Sequence, residues 1–444
     1  MRSLTHDFKQ TGKVARLFLF IISLNLLYAF VLTLIHSKPN AFSQVKWLFY
    51  SKPYQNDSWK AMTNALMYMK QFPDSNAYQT LLMEKGIKFQ YPPSSLLLFD
   101  IPQRITGLDY TEIARLWDVL SFFSVFLIAF FASKILSLTL ATYRFSELNI
   151  SSTANAFQQY ILVLAITVLF YPLIRSYQLG QIQTLLTLFA TMSIYFWLAN
   201  KKGLSGLFIG LVCLVKPQLG LLFVWALIRR QWTMIIAGGI TVVAVLAVSI
   251  ALYGFHNHLD YLSALSFLSR HGEAQYANQS VNGLVHRLLF NGENVFFQEN
   301  EFPPYSPVVY ISTMISTLIL TFLGLLWNRK KSEPDAIDLA IMMLCTTIAS
   351  PIAWEHHYGI LLPIFILLTP FACHFYRQKK WKLLLFSLAF VIASQYLEIA
   401  KKLADTRFNI LQSYLFFAAL IILMYSLVIS KKLKTNGLQH IETY

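Results

Sequence analysis

The sequence predicts an all-α, polytopic integral membrane protein with about twelve membrane segments, two of them forming a short helical hairpin. Three observations carry that expectation. The 444 residues are 56% hydrophobic and 13% charged, and a soluble domain has about twice that charged share. Apolar runs of about 18 residues or more, enough to cross a hydrocarbon core of about 30 Å, recur along the whole chain. The basic residues behind the net charge of +15 sit in short loops between those runs. That placement orients membrane helices and argues against a nucleic-acid partner.

The first apolar run, Leu17 to Ile35, follows Lys9, Lys13 and Arg16. It is too long for a signal-peptide core and lacks a small-residue cleavage site, so it reads as an uncleaved first span with the N-terminus in the cytoplasm. Residues 36–112 then form a long outer segment. Within it "NDSWKAMTNALMYMKQF" (56–72) places Trp59, Met62, Ala65, Leu66 and Met69 at helical spacing, predicting an amphipathic helix at the interface. Asp57 stands just ahead of that helix. A carboxylate there suits a helix cap, and spacing alone does not separate a cap from a chemical role. In "FQYPPSSLLLFDIPQRI" (89–105), Pro92 and Pro93 suit a helix start, and the apolar run after them is short for a span. A juxtamembrane helix is expected.

A span over 113–136 returns to an inner loop with Lys134 and Arg144. Another, over 155–175, emerges at "IRSYQLGQIQ", and the next comes back to Lys201 and Lys202. The stretch from Gly203 to Ile228 has basic pairs at both ends and "VKPQ" in its middle. As two halves of about 13 residues, each reaches about 20 Å, short of a crossing. Read as a hairpin, it places "NRKKS" (328–332), "YRQKKWK" (376–382) and "SKKLK" (430–434) on the cytoplasmic side; read as one span, it places the first two outside. The positive-inside rule favours the hairpin. Both termini are then cytoplasmic, and every polar cluster of interest faces the outer compartment. No internal repeat is visible, so residues 1–444 read as one integral domain. Cys213, Cys345 and Cys373 lie in apolar runs, with neither disulfide nor metal-type spacing.

The outer clusters carry the candidate chemistry. Lys216 sits among apolar residues, and such a charge usually faces a polar cavity or snorkels to the interface. Arg175, Gln178 and Gln181 gather beside Gly180, a composition for a polar pocket at a span end. "YANQSVNGLVHRLLF" (276–290) mixes amides with His286 and Arg287 and reads as either a solvated loop or part of a site. "SPIAWEHHYGILLP" (350–363) sets Trp354, Glu355, His356 and His357 between two apolar runs. Adjacent histidines diverge on a helix and lack the i, i+4 spacing of zinc helices. Contact with an anionic substrate suits them better than metal ligation, and no metal or cofactor is expected. Arg175, Lys216, Arg287, His356 and His357 together have the charge for a phosphate.

Taken in order, these segments resemble the polyprenol-phosphate-mannose-dependent mannosyltransferases of glycosyltransferase family 87, in the C superfamily of membrane glycosyltransferases. The resemblance runs over about residues 50–380. It is carried by Asp57, "FQYPPSSLLL", "LGQIQTLLTLFA" (179–190), "GLFIGLVCLVKPQLGLLF" (206–223), "NQSVNGLVHRLL" (278–289) and "SPIAWEHHYGILLP". The first outer segment departs from the family's more usual acidic-aromatic run, so Asp57 is matched by position. The resemblance implies an active site on the non-cytoplasmic face of the cell membrane and a polyprenyl-phosphate-linked sugar donor, with mannose the expected hexose. It also implies a glycan or glycolipid acceptor and one carboxylate, Asp57, acting as base in the first outer loop. Tyr91, Arg175, Gln178, Gln181, Lys216, Gln279, Arg287, Trp354, His356 and His357 are the expected substrate-binding residues. A secondary transporter, with repeats and ionisable groups at mid-membrane, and a non-enzymatic lipid-binding membrane protein are the rival readings.

Overall fold

A computed structural model describes residues 12–36, 43–50, 56–143, 156–329 and 333–435. Lys9, Arg144, Lys330 and Lys331, used above to orient loops, lie outside the described residues. The described chain is α-helical. It has no strand, and one isolated bridge joins Asn278 to Trp354. The helices in order are α1 (Lys13–His36), α2 (Ser43–Tyr50), α3 (Asp57–Gln71), α4 (Leu97–Thr106), α5 (Tyr110–Thr142), α6 (Ala156–Val168), α7 (Tyr171–Gln178), α8 (Gln183–Leu198), α9 (Lys202–Cys213) and α10 (Leu221–Ile228). After them come α11 (Trp232–Tyr253), α12 (Phe255–His271), α13 (Val281–Leu288), α14 (Pro307–Leu326), α15 (Ala336–Ile348), α16 (Leu361–Phe375), α17 (Lys380–Ala393), α18 (Glu398–Lys402) and α19 (Tyr414–Thr435).

Six of the described helical segments are long and apolar enough to cross a membrane, and the pair α6–α7, bent by 66°, makes a seventh. α8, α9, α15 and the 12-residue stretch Pro217–Ile228 are apolar but shorter than a full crossing, so six or seven full spans are seen among the described residues where about twelve membrane segments were expected. Burial explains how short helices fit. α15 and α16 are buried almost all round, the pattern of helices at the centre of a bundle. α11, long and apolar, buries only Met234, Gly238, Ser249 and Tyr253 and presents the rest of its surface outward.

The hairpin is present. A Cβ added to Gly206 would overlap the carbonyl oxygen of Met234, and one added to Gly210 would lie 2.9 Å from that of Gly238. Residue numbers rise together along that seam, so α9 and α11 run parallel and begin at the same end of the bundle. α10 runs back beside α11, with the Phe223 ring against Gly238, and the Trp197 and Trp225 rings meet 5.5 Å apart near its return. At that end Trp197 Nε1 donates to Pro334 O (3.2 Å), Arg229 Nη1 to Leu325 O (2.9 Å) and Ser430 Oγ to Asp338 Oδ1 (2.9 Å). At the opposite end Ser94 Oγ donates to Leu214 O (2.5 Å), fixing the hairpin tip beside the proline pair.

Residues 56–112 cap this second end. α3 buries Trp59, Met62, Ala65, Leu66 and Met69, the face read from the sequence. Those side chains pack in a separate apolar cluster with Phe99, Tyr261 and Ile352. Asp100, fully buried, receives Lys70 Nζ (2.6 Å), Arg104 Nε (3.1 Å) and the Tyr253 hydroxyl (3.1 Å), tying α3 and α4 to α11. Residues 254–305 are more ordered than a loop, since α12 and α13 lie within them.

Single cysteines test this arrangement. Lys201 and Arg230, both exposed, should be labelled from one side of the membrane, and Lys60 and Glu299, also exposed, only from the other. Labelling of Lys201 and Arg230 from opposite sides would make 203–228 a single crossing.

Candidate active site

The site begins with a close approach of two chain segments. Asn56 and Gly180 both occupy the left-handed region, with φ of 43° and 65°. A Cβ on Gly180 would lie 3.0 Å from Asn56 Cα, so glycine lets the segments meet. The Asp57 amide then donates to Leu179 O at 3.1 Å. Asp57 is the first residue of α3 and not its cap; Asn56 holds the cap position and makes no side-chain cap bond. The capping alternative for Asp57 is thereby corrected.

The Asp57 carboxylate is accessible and accepts a hydrogen bond from Gln181 Nε2 at 3.3 Å. Beneath it, Ser58 Oγ donates to Gln181 Oε1 (2.7 Å) and accepts from the Ile182 amide (3.1 Å). The Tyr91 hydroxyl lies 2.8 Å from Ser58 Oγ and donates to Gln181 Oε1 at 3.2 Å. The protein packed around it pushes the Asp57 pKa above the ordinary carboxylate value, and the Gln181 hydrogen bond and the Arg175 charge oppose that rise without cancelling it. A group that is reachable, crowded and raised in pKa has the properties of a general base.

Arg175 links this cluster to the "WEHHY" stretch. Its Nη1 donates to Gln178 Oε1, its Nε lies 3.5 Å from Glu355 Oε1, and its guanidinium lies over the Trp47 ring. The buried Glu355 also accepts from the Tyr171 hydroxyl at 2.5 Å. Glu355 therefore holds Arg175 on the Asp57 side, leaving less of its charge for a ligand. His356 is within electrostatic reach of both Arg175 and Lys216.

Lys216 and His357 face a cavity of about 30 Å³, lined also by Gln183, Thr187, Thr347 and Ser350. That is room for one or two waters, so a larger ligand enters only as the side chains at its mouth part. Gln183 Oε1 and Thr187 Oγ1 are buried without partners there, and among the described residues no carboxylate pairs with Lys216. Gln181 and Gln183, two residues apart at the start of α8, serve the Asp57 cluster and the Lys216 cavity in turn. The arrangement offers a proton acceptor on one side and a cation with hydrogen-bonding groups on the other.

Of the eleven expected residues, Asp57, Tyr91, Arg175, Gln178 and Gln181 form the first cluster, Lys216 and His357 line the cavity, and His356 is not among the lining residues but sets its ring against that of His357 at 4.8 Å. Trp354 is at the rim, its ring edge-on to Phe297 at 5.9 Å. Gln279 and Arg287 are not brought to either. Gln279 Nε2 donates to Tyr276 O (2.5 Å) and Gln412 O (2.7 Å), and its Oε1 accepts from the Phe416 amide (3.1 Å). Arg287, fully buried, donates to Gln275 O and Asn278 O (both 3.0 Å) and to Ser413 Oγ (2.6 Å). Their polar atoms go to the irregular 272–280 backbone and to residues 412–416, where buried backbone groups need partners away from water. Ser58, Tyr171 and Glu355 were not foreseen in their roles.

Comparison with known proteins adds two findings. Residues 89–351 match the model of glycosyltransferase family 87, a region that takes in Tyr91, Arg175 and Lys216, begins after Asp57 and stops before Trp354. Over 281 residues the chain is 25% identical to the polyprenol-phosphate-mannose-dependent alpha-(1-2)-phosphatidylinositol pentamannoside mannosyltransferase of Mycobacterium tuberculosis, covering 63% of this chain and 58% of that protein. The family match extends over more than half of a helical membrane chain whose polar side chains converge at one end, and on that basis the chain belongs to glycosyltransferase family 87.

Proposed function

We propose that the protein transfers a hexose, mannose in the first instance, from a polyprenyl-phosphate donor to a hydroxyl of a glycan or glycolipid acceptor. The reaction takes place on the non-cytoplasmic face of the cell membrane. The observation that carries this reading is the pairing of an accessible carboxylate with a cation lacking a carboxylate partner, at the same end of a membrane bundle. The acceptor oxygen attacks the anomeric carbon while its proton passes to Asp57. The bond from that carbon to the phosphate oxygen breaks, and the electron pair leaves with polyprenyl phosphate. Lys216 and His357 take up the charge that develops on the phosphate, while Gln181 and Ser58 hold the base in position. One displacement inverts the anomeric centre. The lipid phosphate is a good leaving group, so the step needs no general acid.

The test is incubation of the purified full chain with labelled polyprenyl-phosphate mannose and, separately, glucose. Transfer or slow hydrolysis with inversion is the expected result. Because the base must be ionised, kcat/KM should fall as pH drops through the Asp57 pKa, which burial raises from the ordinary aspartate value. Flux of the intact donor across a bilayer without covalent change, or saturable binding alone, would overturn the reading.

A further inference from the structure

At the end of the bundle opposite Asp57, a cavity of about 650 Å³ opens between the last turns of α14 and α19. It is lined by Phe322, Leu323, Leu326, Trp327, Asn328, Lys431 and Lys434. Its volume is within the range of small-molecule sites, and the transfer chemistry described above does not use it. We propose that this cavity binds one anionic glycerophospholipid, with the headgroup phosphate on Lys431 and Lys434 and the acyl chains along Phe322, Leu323 and Leu326.

The shape comes from how α14 ends. Trp327 leaves the helix with ψ of 126°, and Asn328 turns the chain through the left-handed region at φ 51°. The chain swings away and leaves the last turn of α14 as an apolar wall, with Phe322 and Leu326 exposed. The Trp327 indole N–H donates to Ser430 Oγ at 3.3 Å, which pins the ring between the two helices. Asn328 Nδ2 donates to both Ser430 Oγ (2.6 Å) and Asp338 Oδ1 (3.0 Å), so the floor is fastened to α15 as well.

The cavity lining carries two lysines and no carboxylate. Lys431 and Lys434 are one helical turn apart on α19 and both are exposed. Asp338 lies below them but is buried, and its oxygens are taken by Asn328, Ser430 and the Asp335 amide. Arg229 adds a further positive charge behind Trp327, donating to the Leu325 and Trp327 carbonyls. A free inorganic anion needs the lysines and no apolar wall, and a neutral lipid needs the wall and no lysines. An anionic phospholipid uses both, as basic pockets between membrane helices do elsewhere.

The test is native mass spectrometry of the full chain in mild detergent, titrated with phosphatidylglycerol or with phosphatidylcholine of the same acyl chains. One molecule of phosphatidylglycerol should bind in preference to phosphatidylcholine. The Lys431→Ala/Lys434→Ala variant should bind it about 30-fold more weakly, as expected for two surface charges, with phosphatidylcholine binding unchanged. Leu326→Trp, which fills the apolar half and keeps both lysines, should also displace the lipid. Three results would each overturn the proposal: unchanged phosphatidylglycerol binding in both variants, an equal loss in Lys379→Ala/Lys382→Ala, whose lysines lie outside the cavity lining, or full competition by inorganic phosphate.

Discussion

An Asp57→Asn enzyme should fold, insert and bind its lipid-phosphate donor as the parent does, while sugar transfer falls by at least about a hundredfold. The substitution is close to isosteric. The amide oxygen it introduces can still accept the hydrogen bond from Gln181, and the backbone bond to Leu179 does not involve the side chain. The carboxylate's hydrogen bond comes from Gln181 and not from the first turn of α3, so helix stability has little to lose. What disappears is the capacity to take a proton. Initial rates of transfer, measured beside donor binding on the same preparation, separate these effects. Asp74→Asn and Glu84→Gln, in the same outer segment, are the controls. Near-normal transfer by Asp57→Asn together with loss in Glu84→Gln would put the base elsewhere in that segment. Indifference of all three would end the base-assisted mechanism.

Lys216→Ala should lower kcat/KM for the lipid-phosphate donor about 10- to 150-fold, the loss of one charge-assisted contact, with little change in protein yield. Among the described residues no carboxylate neutralises this lysine, so removing it leaves no orphaned anion behind and the fold is spared the usual penalty of breaking a buried pair. Arg287→Ala should behave in the opposite way. Its guanidinium holds the backbone of residues 274–278 and Ser413, so yield and thermal stability should drop first. If Lys216→Ala left donor dependence untouched, the lysine would revert to a side chain that merely snorkels toward water.

The parts of the fold that follow a simple period were readable from the chain. Trp59, Met62, Ala65, Leu66 and Met69 repeat with helical spacing and form the buried face of α3. The hairpin was readable because lysine and arginine pairs bracket two apolar halves. α12 was missed although Tyr261, Ala264 and Leu268 sit at helical spacing and are buried, because the polar residues between them resemble a connection between spans. The site divides along a similar line. Asp57, Lys216 and the histidine pair stood out as ionisable groups in an apolar chain. Gln279 and Arg287 stood out for the same reason and bond to buried backbone. A polar side chain in a membrane protein either lines water or satisfies a buried backbone carbonyl, and composition does not distinguish the two. Ser58 and Glu355 meet their partners Gln181 and Tyr171 across 123 and 184 residues of chain, which no local pattern reports.

The glycine seam between α9 and α11 makes the hairpin a ruler. With Gly206 and Gly210 pressed against the backbone of α11, α9 has little room to slide or tilt. Its 12 residues rise about 18 Å, so Lys216 stands at a fixed height above the lysine pair at the other end, well short of the roughly 30 Å of hydrocarbon in an ordinary bilayer. A carrier phosphate normally rests at the headgroup level. To meet Lys216 it must be drawn below that level, or the membrane must thin around the protein at a modest cost for each ångström of mismatch. Bilayer thickness therefore becomes a variable in the donor's apparent affinity, and membranes assembled from shorter acyl chains should favour the reaction without any change in the protein.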